Sequence, residues 1–152
     1  MGLLSRLFGS GSAPRSLLAD LAETYRAEAA QAEHLRAHAE RARYPQMAGA
    51  LRRLADIEER HAGWLRERLL TLGGELPPID PTPPPGNNQW ERVVGLHHAA
   101  VAKRRRLVEL VAQWDPDEPE IVDLFRRVES EDAPEMAVYE GLIMRSDPQA
   151  ID

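Results

Sequence analysis

Along most of this chain the apolar residues recur every three or four positions, the period of a helix with one buried face. Four segments carry that period. Over residues 15–43 the stripe is Leu18, Leu21, Tyr25, Glu28, Ala32, Leu35 and Ala39. Over 46–72 it is Met47, Leu51, Leu54, Glu58, His61, Leu65, Leu69 and Leu72. Over 88–114 it is Trp90, Val93, His97, Ala100, Leu107, Leu110 and Trp114, with Arg104 the weak point in the register. Over 117–145 it is Ile121, Phe125, Val128, Asp132, Met136, Tyr139 and Ile143. The punctuation agrees with these spans. Tyr44-Pro45 ends the first, because a residue before proline avoids the helical region. Gly73-Gly74 stops the second, Asn88 is an N-cap for the third, and Asp115-Pro116-Asp117 breaks the third from the fourth.

The connections are unequal, and that decides the architecture. Short turns make helices one and two, and helices three and four, antiparallel hairpins. Residues 74–87 between them carry six prolines (Pro77, Pro78, Pro81, Pro83, Pro84 and Pro85). Such a segment is extended at ~3.1 Å per residue and reaches roughly 43 Å. A helix of about 26 residues is roughly 39 Å long. The linker can therefore run the length of a bundle. The expected fold is all-α: a four-helix bundle of two hairpins joined by a long Pro-rich crossover. A dimer that swaps hairpins between chains satisfies the same pattern.

Composition narrows the function classes. At 152 residues, 43% hydrophobic and 29% charged, the chain suits one soluble domain. A net charge of -6 argues against nucleic acid as the main partner. Lys103-Arg104-Arg105-Arg106 is a local exception and reads as a solvated helix face. The chain has no cysteine, which removes thiolate metal sites and thiol catalysis. No stretch suits a membrane span, and a cytoplasmic location is expected. Residues 1–14 read as a flexible tail with an apolar cluster at Leu3, Leu4, Leu7 and Phe8, and residues 147–152 as a second tail.

Every stripe carries ionisable groups near its middle: Glu28, Glu58 with His61, His97, and Asp132, with Glu129 at the edge of the fourth. Counted from Pro45 and Pro116, the polar residues of each hairpin fall within about one helical turn of the same height. A buried carboxylate or imidazole costs several kcal/mol unless paired or bound to a cation. Carboxylates and imidazoles converging in mid-bundle supply hard oxygen and neutral nitrogen, which suit iron, manganese or zinc. The competing expectation is an ion pair, with Arg104 or Arg36 entering the bundle to neutralise a carboxylate. Pro134 predicts a kink or bulge in the fourth helix near Asp132.

With four helices, a crossover after the second, and Tyr44-Pro45-Gln46-Met47-Ala48 leading to Glu58-Glu59-Arg60-His61-Ala62, the chain resembles the rubrerythrin branch of the ferritin-like superfamily over about residues 16–145. In that family each hairpin supplies one Glu from its first helix and a Glu-x-x-His from its second, and the set binds two metal ions, usually iron. The resemblance implies metal ligands at Glu58 and His61, with Glu28, Glu129, Asp132 and His97 completing the shell. Tyr25 and Tyr139 would support them. It also implies peroxide or oxygen chemistry, a homodimer or higher homo-oligomer, and a separate electron donor, since no cysteine is present for a rubredoxin-like centre. The second hairpin departs from the pattern. Leu96 and Ala99 stand where carboxylates are expected, and Asp132 where the second histidine is. One ion, an altered pair, or a metal-free bundle acting as an interaction module are all compatible with that departure, and no catalytic residue is assigned.

Overall fold

The computed structural model describes residues 13–151. The proposed cluster at Leu3, Leu4, Leu7 and Phe8 lies outside the described residues. Within them the secondary structure is four α-helices and no strand: α1 (Arg15–Arg41), α2 (Pro45–Thr71), α3 (Gln89–Trp114) and α4 (Pro119–Met144).

The helix ends follow local chemistry. Pro45 occupies the first turn of α2, where its missing N–H is not needed. Gly73 takes φ 83° just beyond α2, and the Gly74 N–H closes back onto the Leu69 carbonyl at 2.9 Å. This is the left-handed exit that glycine makes without strain. The Asn88 side chain accepts from the Glu91 N–H at 2.9 Å and so caps α3. Its amide also donates to the Pro148 and Ala150 carbonyls, tying the chain's end to the start of α3.

Contacts between helices set their directions. Gln31 on α1 meets Leu96 early in α3, and Asp20 meets Arg106, Gln113 and Trp114 near the end of α3. These two helices are antiparallel. Arg60 and Arg68 on α2 meet Glu131 and Glu120 on α4, so that pair is antiparallel too. Since α2 and α3 then run the same way, the crossover must traverse the bundle. It passes along α1, where the Asp80 carbonyl lies 3.0 Å from His34 Nε2. Near α3 it comes so close that a Cβ on Gly86 would sit 2.9 Å from the Arg92 backbone nitrogen. Both hairpins pack together within one chain, and no swap is needed to complete the bundle.

The core is in two parts. One apolar cluster gathers Leu35, Leu51, Leu54, Val93, Leu96, Tyr139 and Leu142. The other gathers Leu17, Leu21, Leu65, Leu69, Leu107, Leu110, Ile121 and Phe125. A polar layer separates them. Burial also corrects the expected registers: on α1 Leu17 and Thr24 are buried where Leu18 and Tyr25 are only partly so, and the second hairpin shifts as well. On α3 the inward positions are Leu96 and Lys103, not His97 and Arg104. On α4 they include Glu135 and Leu142, whereas Met136 and Ile143 are only partly buried. The α-helix runs unbroken through Pro134, with no wider turn at Asp132.

Candidate metal centre

The layer between the two clusters is built by all four helices. Glu28 comes from α1, Glu58 and His61 from α2, Lys103 from α3, and Asp132 and Glu135 from α4; each is buried. Glu28, Glu58, His61 and Asp132 each offer a donor atom, and these atoms all lie within 4.8 Å of one another. Lys103 Nζ stands among them. It donates to Glu28 Oε2 at 2.6 Å and to Glu58 Oε2, and lies 3.6 Å from Asp132 Oδ2. His61 faces two ways. Its Nδ1 lies 3.2 Å from Asp132 Oδ1 and 3.5 Å from Glu28 Oε2, off line for a hydrogen bond. Its Nε2 bonds Glu131 Oε2 at 2.8 Å, and Arg60 holds the same oxygen at 2.8 Å.

That outward bond matters for chemistry. With Nε2–H donating to the Glu131 carboxylate, Nδ1 faces the cluster, and a metal ion that displaced its proton would take the lone pair there. Trp64 packs against the imidazole with ring centroids 5.3 Å apart, and Arg127 covers the indole at 3.8 Å. These contacts hold the ring's orientation.

The electrostatics are those of a crowded carboxylate site with too few cations. Burial opposes ionisation of Glu28, but the Lys103 ammonium and the bonds it receives outweigh this and hold its carboxyl at about 2. Glu58 goes the other way. Burial pushes it well up against the pull of Lys103, and the Glu28 and Asp132 charges add to the push. Glu135 is raised to about 7, by burial first and by Asp132 next, with Lys103 and His61 offsetting part of this. Burial disfavours the imidazolium of His61, yet the nearby carboxylates of Asp132, Glu28 and Glu131 hold it up to about 10. Lys103 is raised well above the usual lysine range, its burial outweighed by Glu28, Glu58 and Asp132.

Of the residues expected at the site from sequence, the structure brings Glu28, Glu58, His61 and Asp132 together. Glu129 and His97 stand apart. Glu129 Oε1 accepts from Arg104 Nε at 2.8 Å on the bundle's flank, which also accounts for Arg104. The half-buried His97 ring lies against Tyr139, 5.9 Å away. Arg36 pairs with Glu33, Asp56 and Glu59 on the surface and enters no core position. Tyr139 is buried above the polar layer, its hydroxyl accepting from Gln31 Nε2 at 3.0 Å; Tyr25 packs with the Phe125 cluster. Sequence reasoning missed Lys103, Glu135 and Glu131. The Lys103-to-Arg106 run is no uniform solvated face, because Lys103 is inside. The spacing Leu96, Ala100, Lys103, Leu107, Leu110 is an unbroken helical stripe and was the available signal.

The residues fit a metal ion. Glu28 Oε1, Glu58 Oε1, His61 Nδ1 and both oxygens of Asp132 and Glu135 are buried and have no hydrogen-bond partner. Hard oxygens with one imidazole nitrogen are a donor set for iron, manganese or zinc.

No protein-family model and no curated protein matches the chain. Among solved structures it is similar to a Rhodobacter capsulatus bacterioferritin described as having a metal-free dinuclear site and heme iron. The TM-score is 0.78 at 16% identity, over 88% of this chain and 87% of that one. The chain thus has the ferritin-like four-helix-bundle fold. Within that fold it carries a buried carboxylate–histidine cluster that suits a metal. Among the described residues, no helix is long and apolar enough to cross a membrane.

Proposed function

We propose that this protein is a metal-binding member of the ferritin-like proteins, of rubrerythrin-like type, taking iron or manganese in its mid-bundle site and acting on peroxide or dioxygen. The observation that carries the reading is the convergence of Glu28, Glu58, His61 and Asp132 within 4.8 Å inside the bundle. His61 Nδ1 and the carboxylates of Glu28, Glu58 and Asp132 would hold the ion, with Glu135 beside them. The bound metal would supply redox change and an open coordination position for the oxidant. Glu131 orients His61, Tyr139 closes the layer above, and the two apolar clusters exclude water on either side. Electrons would come from a separate partner, since the chain has no cysteine for an iron–thiolate relay. A homodimer or higher homo-oligomer in the cytoplasm belongs to the same reading; Val101 and Val108 are exposed on α3.

Elemental analysis of protein purified without a metal-affinity tag tests the reading, together with a Glu58→Ala/His61→Ala double variant. Stoichiometric iron or manganese in the wild type, lost in the variant, is the expected result. A wild type that carries no metal and gains no thermal stability from Fe²⁺, Mn²⁺ or Zn²⁺ would overturn it, because a ligand of the native state must stabilise that state. Lys103 favours one second reading. Its ammonium already bonds Glu28 and Glu58, as it would in a metal-free bundle that acts through its surface.

A further inference from the structure

We propose that Lys103 Nζ takes the place of one metal ion, so that a layer expected to hold two ions holds a fixed ammonium and one ion. The proposal rests on the metal-binding reading and sets its stoichiometry. Its first ground is position. Lys103 enters from α3 and bridges Glu28 Oε2 on α1 and Glu58 Oε2 on α2, with Asp132 Oδ2 of α4 at 3.6 Å. A cation bridging carboxylates from different helices does what a metal ion does in such a layer. With 5% of its side chain exposed, Lys103 has no solvated alternative nearby.

The second ground is what the ammonium leaves unmet. It satisfies one oxygen each of Glu28 and Glu58. Their other oxygens, both oxygens of Asp132, both of Glu135, and His61 Nδ1 remain buried without a hydrogen-bond partner. Among these atoms, His61 Nδ1 and Asp132 Oδ1 lie 3.2 Å apart. They are the donors for the one remaining ion.

Charge counting gives the limit. Glu28, Glu58, Asp132 and Glu135 together carry at most four negative charges in the layer. Glu131 lies outside it and is paired with Arg60. One divalent ion with the ammonium and a neutral His61 brings three positive charges, within what those carboxylates offset. Two divalent ions with the ammonium bring five, which leaves a net positive charge sealed between apolar clusters. Burying uncompensated charge is among the largest penalties a protein interior imposes. Without the ammonium, two divalent ions and four carboxylates balance.

The test is Mn²⁺ and Zn²⁺ binding to the full chain, wild type against Lys103→Met, read as metal equivalents by equilibrium dialysis and as the thermal midpoint. The wild type should take one equivalent and Lys103→Met two. Metal-free Lys103→Met should melt below the metal-free wild type and recover when Mn²⁺ or Zn²⁺ is added. Two equivalents in the wild type, or one in both proteins, would overturn the proposal. No metal in the wild type with binding and thermal recovery in Lys103→Met would defeat the metal-binding reading of the native protein, yet keep Lys103 as the ion's replacement. No binding in either protein would defeat both. Should Lys103→Met fail to fold, Mn²⁺ electron paramagnetic resonance of the wild type decides: an isolated-ion hyperfine pattern supports the proposal, and an exchange-coupled pair overturns it.

Discussion

The two hairpins meet at one layer but bring different chemistry to it. The first contributes Glu28, Glu58 and His61, all donors to a cation. The second contributes a cation of its own, Lys103, together with Asp132 and Glu135. One half of the layer is thus a ligand set, and the other both adds to that set and partly satisfies it. A bundle can keep the same fold and change its cation demand through a single inward position on one helix.

The largest effect should come from removing the internal cation. In metal-free protein, Lys103→Met leaves Glu28 and Glu58 buried without their partner and should cost about 3–5 kcal/mol in chemical denaturation, as for other broken buried pairs. A loss under about 1 kcal/mol would mean the first hairpin does not depend on the second for charge.

Acidity should separate the hairpins next. Glu135 has a carboxyl raised to about 7 against an ordinary 4.5. The folded protein therefore holds that proton more tightly, and its ionisation costs stability as pH rises through this window. Glu135→Gln should stabilise the metal-free protein above pH 7 by on the order of 1–3 kcal/mol and have little effect below the ordinary value. His61, raised from 6.5 to about 10, contributes stability that is complete below 6.5 and lost as pH climbs toward 10. Glu28, lowered from 4.5 to about 2, contributes stability present above 4.5 and lost as pH falls toward 2. Thermal melts across pH should show both flanks, and His61→Gln should remove the alkaline one.

A smaller effect tests the link above the layer. Tyr139→Phe removes the acceptor that Gln31 Nε2 reaches from the other hairpin, while the Leu96 carbonyl still receives that amide. The expected loss is about 1 kcal/mol. The smallest effect should be Arg36→Ala. This arginine pairs with exposed carboxylates of the first hairpin, and such pairs contribute about 0–1 kcal/mol.

The sequence was more readable in the first hairpin than in the second, for physical reasons. On α2 the residues beside Glu58 and His61 are plainly apolar at the right spacing, so the register has one good solution, while on α1 the buried Thr24, Gln31 and His38 blur the ends of the stripe around Glu28. The crossover was readable too, because prolines impose reach whatever they pack against. On α3 four basic residues stand in a row, and charge alone does not say which one turns inward. Lys103 does, because its long methylene stem can lie along apolar neighbours while its ammonium reaches the carboxylates. On α4 Met136 and Ile143 made a plausible stripe, and a buried Glu135 is the less expected alternative until partners across the layer are known. Those partners come from other helices, and helical period carries no information about them. The Glu131 bond to His61 was hidden for the same reason.

The central claim is that one ion sits beside a lysine that stands for a second. Anomalous diffraction from wild-type crystals grown with Mn²⁺ tests it most directly. A single anomalous peak is expected, bonded to His61 Nδ1, with Lys103 Nζ still on Glu28. Two peaks with Lys103 displaced, or no peak among Glu28, Glu58, His61 and Asp132, would contradict it.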